Sequence, residues 1–302
     1  MLFRPNFLTK GDKVYILSTA RKVERSELDF SINLLKSLDL EVIIGNSIEI
    51  SHHQYAGTEE ERAADFQKAL NDPEIKAILF ARGGYGSIRI FDKIDWSRFI
   101  ETPKWLIGFS DITIWHNLVN NFYGIETLHA PMCITLKDAT PESLLSFKNT
   151  IMGHLSPITF EINPHNKNTQ NTVKGDIIGG NLSILYSLIG TDTGFNTNNK
   201  ILFIEDLDEC LYHIDRMMIA LKRAKKLEGL KALVVGGFTE LKDNQVPFGK
   251  NYIEIILEHC SSYQFPIYFD FPVGHINNNH SLILGSTVEL SSDASHSKLI
   301  YL

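Results

Sequence analysis

The 302-residue sequence is 43% hydrophobic and 22% charged, the balance of a globular protein large enough for two domains and a sizeable core. A formal charge of −7 without a basic stripe argues against nucleic-acid or anionic-membrane partners and favours a small molecule or peptide as ligand. Cys133, Cys210 and Cys260 are odd in number and widely spaced, which argues against a disulfide framework or zinc knuckle. No apolar run is long enough to cross a bilayer, so a cytoplasmic, unprocessed chain is expected.

In chain order, 12–18 reads as a strand, 24–38 as a helix with apolar positions at Leu28, Ile32, Leu35 and Leu38, and 40–44 as a second strand. Residues 55–71 form a polar loop leading into a helix, with Thr58 and Glu61 spaced as a capping box. A third strand, 75–81, runs into the loop Arg82-Gly83-Gly84-Tyr85-Gly86-Ser87. A fourth, 104–109, ends at Ser110, beyond which Ile112, Trp115, Leu118 and Val119 take helical spacing. This alternation predicts a parallel sheet covered on both faces, with ligands bound beyond the carboxyl ends of its strands. The glycine loop and Ser110 both follow strands and belong at that edge.

From about residue 140 the texture changes. Residues 141–152 read as a helix, and 163–172, rich in Asn, Lys and Thr, as a linker or long exposed loop. Gly179-Gly180-Asn181-Leu182 opens a helix through Ile189, the strand 200–204 follows, and 211–227 is helical again. Strands at 230–235 and 266–269 flank a helix at 251–260, and the tail 281–302 reads as short paired strands.

Four stretches could carry chemistry. Ser110 stands on a strand-to-helix corner after Gly108, which is expected to let the backbone fold tightly; there it either caps the helix or presents a nucleophile beside free N–H groups. The glycine loop lets backbone N–H groups approach a phosphate or an oxyanion, with Ser87 a rival nucleophile or a cap, and a plain turn equally open. Glu205-Asp206-Leu207-Asp208-Glu209, read as following a strand, is a solvated acidic loop, a hard-cation site, or the source of a carboxylate that orients a histidine, for which Glu205 is best placed. His275, in the loop Gly274-His275-Ile276-Asn277, could act as general base, whereas His275 and His280 make a poor zinc signature.

Together these blocks resemble the LD-carboxypeptidases, serine peptidases that trim the murein tetrapeptide during cell-wall recycling, and their relatives that confer immunity to microcin C. The resemblance spans nearly the whole chain. It rests on Arg82 to Ser87 with Arg89, Gly108-Phe109-Ser110-Asp111, Gly179 to Ser183, Glu205-Asp206 followed by Ile214-Asp215-Arg216-Met217, and Gly274-His275. It implies a fold of a Rossmann-like parallel-sheet sandwich (1–160) carrying the nucleophile and a smaller β-rich α/β domain (161–302) carrying its partners. Ser110 would be the nucleophile, His275 the base and Glu205 the carboxylate that orients it, with the backbone N–H groups of Gly84 and Asp111 as oxyanion hole. The implied substrate is a murein tetrapeptide, cleaved between a diamino acid and D-alanine without metal or cofactor by a homodimer. Arg89 is the candidate for the terminal carboxylate, Asp208 or Glu209 for the ammonium, and Arg216 a structural ion-pair partner. A microcin-type immunity peptidase and a non-catalytic binding protein are the alternatives.

Overall fold

The computed structural model describes residues 3–302 and contains two sheets. The strands are β1 (Lys13–Leu17), β2 (Glu41–Ile44), β3 (Ile75–Phe80), β4 (Trp105–Gly108), β5 (Thr127–His129), β6 (Ile158–Glu161), β7 (Val173–Asn181), β8 (Lys200–Leu207), β9 (Ala232–Thr239), β10 (Ile267–Tyr268), β11 (Leu282–Leu284), β12 (Thr287–Ser292) and β13 (His296–Tyr301). Between them lie α1 (Asp29–Ser37), α2 (Glu59–Asn71), α3 (Ser97–Glu101), α4 (Thr113–Leu118), α5 (Cys133–Leu136), α6 (Pro141–Ile151), α7 (Leu182–Ser187), α8 (Leu211–Arg223) and α9 (Tyr252–Cys260).

The first sheet has the order β11-β5-β4-β3-β1-β2 and is parallel except for β11. Its strands are apolar on both sides. Val14 and Ile16 enter the cluster under α1 and α6, while Tyr15 and Leu17 face Phe66 of α2 and Trp115 of α4. Burial on both faces is why these strands read as continuous apolar runs. The capping box that opens α2 is present, with Thr58 Oγ1 accepting from the Glu61 N–H and Glu61 accepting from the Thr58 N–H.

The second sheet has the order β10-β9-β8-β7-β12-β13-β6, parallel from β10 to β7 and antiparallel beyond. The expected division at residues 160 and 161 falls inside β6, which pairs with β13. β11 returns to the first sheet, so the tail 281–302 is shared between the two. The polar stretch 163–172 joins β6 to β7 and lies against β10, where Lys167 pairs with Ile267.

The two layers are fused through α4. Its Trp115 and Leu118 share one buried cluster with Leu182 and Leu185 of α7 and with Leu202 and Ile204 of β8. β7, whose three glycines hid it in the sequence, ends against α4. A Cβ on Gly180 would stand 2.5 Å from Thr113 Oγ1, and the Asn181 N–H donates to that same oxygen at 3.0 Å. Only a residue without a side chain lets the strand approach so closely.

Candidate active site

β3 and β4 are adjacent and parallel, so the glycine loop and Ser110 emerge side by side. The sharp bend is taken by Ser110 itself, with φ +63°, while Gly108 continues the strand and makes room for Ile112 and Phe80. A left-handed serine is strained, and such strain is held where the surrounding fold over-determines it. The capping role is not realised: the Ser110 hydroxyl makes no hydrogen bond within the described residues.

The loop from Gly83 to Ser87 packs directly on this corner. A Cβ on Gly83 would lie 3.3 Å from Ser110 Cβ and 3.4 Å from the Asp111 nitrogen, and Gly84 has φ +101°. The Asp111 carboxylate, 2% exposed, accepts the Ser87 N–H at 2.9 Å and pins the loop. Burial pushes its carboxyl above the ordinary range, against the hydrogen bonding from the loop. Arg62, buried beneath, donates to Gly86 O at 2.9 Å. Among the described residues, the N–H groups of Gly84 and Asp111 find no acceptor, the condition of donors held ready for an oxyanion. Ser87 is buried with its hydroxyl bonded to Thr19 Oγ1 at 2.7 Å, which leaves it unavailable as a nucleophile.

Glu205 lies inside β8, which runs on to Leu207 rather than ending at Ile204. The β8–β9 register slips between Ile204 and Asp206, opposite Gly236 and Gly237. Bulges of this kind re-aim a side chain. Glu205, fully buried, accepts from His275 Nδ1 at 2.6 Å and from the His275 N–H at 3.1 Å. Gly274, at φ +118°, permits this contact, because a Cβ there would stand 2.8 Å from Glu205 Cβ and Oε2. The histidine loop is further held by Thr239 Oγ1 on His275 O and by the start of α6, where Thr140 N–H donates to Asn277 O.

Burial by itself would lower the His275 pKa; the charge and hydrogen bond of Glu205, with Asp206 and Glu240 farther off, outweigh it and raise the pKa above its ordinary value. Asp206 is pushed up to about 7 by burial and by its neighbour Glu205. The imidazole ring lies 4.7 Å, centroid to centroid, from Phe109, the residue before Ser110. No hydrogen bond joins Ser110 Oγ to His275 in this state. Such bonds are often long before substrate tightens the site.

The four carboxylates from Glu205 to Glu209 do not converge. Asp206 accepts from Asn181 Nδ2 and the Ser183 N–H, each at 2.9 Å, Asp208 pairs with Lys242, and Glu209 with His213. Arg89 is held by Glu59 at 2.6 Å. The missing side chain of Gly83 admits the Ser110 corner; sequence reading missed Arg21, which lies against Gly84 and has no ion-pair or hydrogen-bonded side-chain partner among the described residues. Beside His275 and Phe109 opens a cavity of about 200 Å³. A larger hollow of about 510 Å³, by Asp12 and Lys76 at the opposite edge of the sheet, carries none of these groups.

The two-domain mixed α/β fold, with the family matches, defines a hydrolase of the serine-peptidase class. The chain belongs to the LD-carboxypeptidase family: the profile of the LD-carboxypeptidase N-terminal domain matches residues 14–130 and that of the LD-carboxypeptidase C-terminal domain matches residues 174–290. A probable murein peptide carboxypeptidase of Bacillus subtilis (strain 168) is 32% identical over 293 residues, covering 96% of this chain and 92% of its own. The crystal structure of muramoyltetrapeptide carboxypeptidase from Oxalobacter formigenes is similar at TM-score 0.85 and 27% identity, over 96% of this chain and 98% of that one. The microcin C7 self immunity protein, solved with aspartyl sulfamoyl adenosine, reaches TM-score 0.86 at 21% identity over 99% and 98% of the two chains, a likeness of fold. Among the described residues no helix is long and apolar enough to cross a membrane.

Proposed function

We propose that the protein is a serine LD-carboxypeptidase that removes the terminal D-alanine from murein tetrapeptides in peptidoglycan recycling. The observation that carries this is the pairing of His275 Nδ1 with the fully buried Glu205, beside a left-handed serine and two N–H groups without acceptors. His275 Nε2 takes the proton as Ser110 Oγ attacks the carbonyl of the diamino acid. The N–H groups of Gly84 and Asp111 receive the negative charge, and the imidazolium returns the proton to the departing amine of D-alanine. Water then hydrolyses the acyl-enzyme by the same route.

Arg21 is a better candidate than Arg89 for the terminal carboxylate. It lies against the proposed oxyanion donor Gly84, whereas the charge of Arg89 is matched by Glu59. The chain divides near residue 160 into a unit carrying Ser110 and a unit carrying Glu205 and His275, so activity depends on their docking through Gly180 and Thr113. The same reading takes the enzyme to be a cytoplasmic homodimer. Trp96, Trp105 and Trp115 are all buried, which leaves none of the indoles to stack on a nucleobase and disfavours a microcin-type adenylate substrate.

Release of D-alanine from L-Ala-γ-D-Glu-meso-diaminopimelyl-D-Ala, measured with a chelator present, tests the reading; failure of the wild-type protein to release it would remove it. The rate is expected to rise with pH, because only the neutral imidazole accepts a proton, and to do so through an apparent pKa above the ordinary histidine value of about 6.5. A rate flat from about pH 5 to 8 would count against His275 as base.

A further inference from the structure

The cavity beside His275 has a chemical character that no part of the triad uses. Its walls include Phe109, Leu207 and Ile276, its polar groups beside His275 are Thr135, Asp138, Asn277 and Asn279, and no lysine or arginine lines it. Asp138 is exposed, and among the described residues its carboxylate makes neither a hydrogen bond nor an ion pair, unlike Asp208, which pairs with Lys242, and Glu209, which is hydrogen-bonded to His213. A carboxylate at a partly apolar hollow repels the carboxylate of a departing D-alanine and attracts a cation.

Resting on the carboxypeptidase reading, we infer that this cavity is the subsite for the side chain of the residue whose carbonyl is attacked, with Asp138 receiving its distal ammonium. The methylene stem of lysine packs along Leu207, Ile276 and Phe109. The ammonium meets the Asp138 carboxylate in a charge-assisted hydrogen bond. Asp138 thus takes the role that the sequence suggested for Asp208 or Glu209. It determines which side chain is accepted and takes no part in the proton transfers.

The test compares tetrapeptides that carry lysine or norleucine before D-alanine. Norleucine keeps the stem and lacks the ammonium. For the wild-type protein kcat/KM is expected to favour lysine on the order of 10-fold or more, the scale of a hydrogen bond to a charged group. Asp138→Asn should collapse that preference to within about 3-fold by slowing the lysine peptide alone, with Asp138→Glu restoring part of it. An unchanged norleucine rate shows that the variant is folded and that its chemistry is intact. A lysine preference that survives in Asp138→Asn overturns the subsite while leaving the carboxypeptidase reading standing. Absence of D-alanine release from both peptides by the wild-type protein overturns both.

Discussion

Ser110→Ala is expected to lower kcat for D-alanine release by about a million-fold, with KM little changed, the scale seen when a triad nucleophile is removed. The Ser110 hydroxyl makes no hydrogen bond within the described residues, so its removal leaves no buried partner unpaired. Thermal stability should therefore stay close to wild type. Ser110→Gly provides the complementary measurement. At φ +63° a glycine escapes the left-handed penalty, so this variant should be equally inactive and more stable by about 1 kcal/mol. Loss of activity with stability retained in the first variant, and gained in the second, identifies a strained nucleophile. Residual activity near the wild-type rate in either would reject it.

The second large effect is expected at the buried carboxylate. Glu205→Gln should cost about 10,000-fold in kcat, because an amide at this position can donate to Nδ1 and turn the imidazole to the tautomer that cannot act as base through Nε2. Removing the negative charge also removes the main influence that raises the His275 pKa, so the acid limb of the residual rate should move to lower pH. Gly274→Ala should act on the same pair with both members left unsubstituted, because its Cβ would stand 2.8 Å from Glu205 Oε2 at a φ of +118°. Relief requires the loop to shift, so kcat should fall while the fold persists. A Glu205→Gln enzyme with the wild-type rate and an unmoved acid limb would show that the carboxylate only fills space.

Much of the framework was legible in the residues. The first four strands, β1 to β4, the capping box at Thr58 and Glu61, and the placing of Ser110 and the glycine loop at one sheet edge all follow from apolar runs and turn chemistry within short windows. The misreadings have a common cause. β7 was hidden because its glycines exist to let Thr113 and Phe203 approach, and that requirement comes from another part of the chain. β8 ran past its expected end because Glu205 and Asp206, charged in the sequence, are buried against His275, Asn181 and Ser183. The bend expected at Gly108 fell instead on Ser110, held there by contacts on both sides of the corner. Arg89 read as a free cation because Glu59, its partner, lies on a different helix.

The sequence by itself determined the alternation of strands and helices, the sheet edge that carries Ser110 and the glycine loop, and, through five ordered blocks, the family. These are local or additive properties: hydrophobic period, turn residues and motif order need no knowledge of what lies across the fold. Only the tertiary structure brings Glu205, the carboxylate the sequence offered as best placed, against His275, leaves the Gly84 and Asp111 N–H groups without acceptors, and stands Asp138 rather than Asp208 or Glu209 beside the cavity. Those outcomes depend on segments about 70 to 165 residues apart meeting at one point. Hydrogen bonding and charge fall off within a few ångströms, so the meeting determines the chemistry, and no window of the chain contains it.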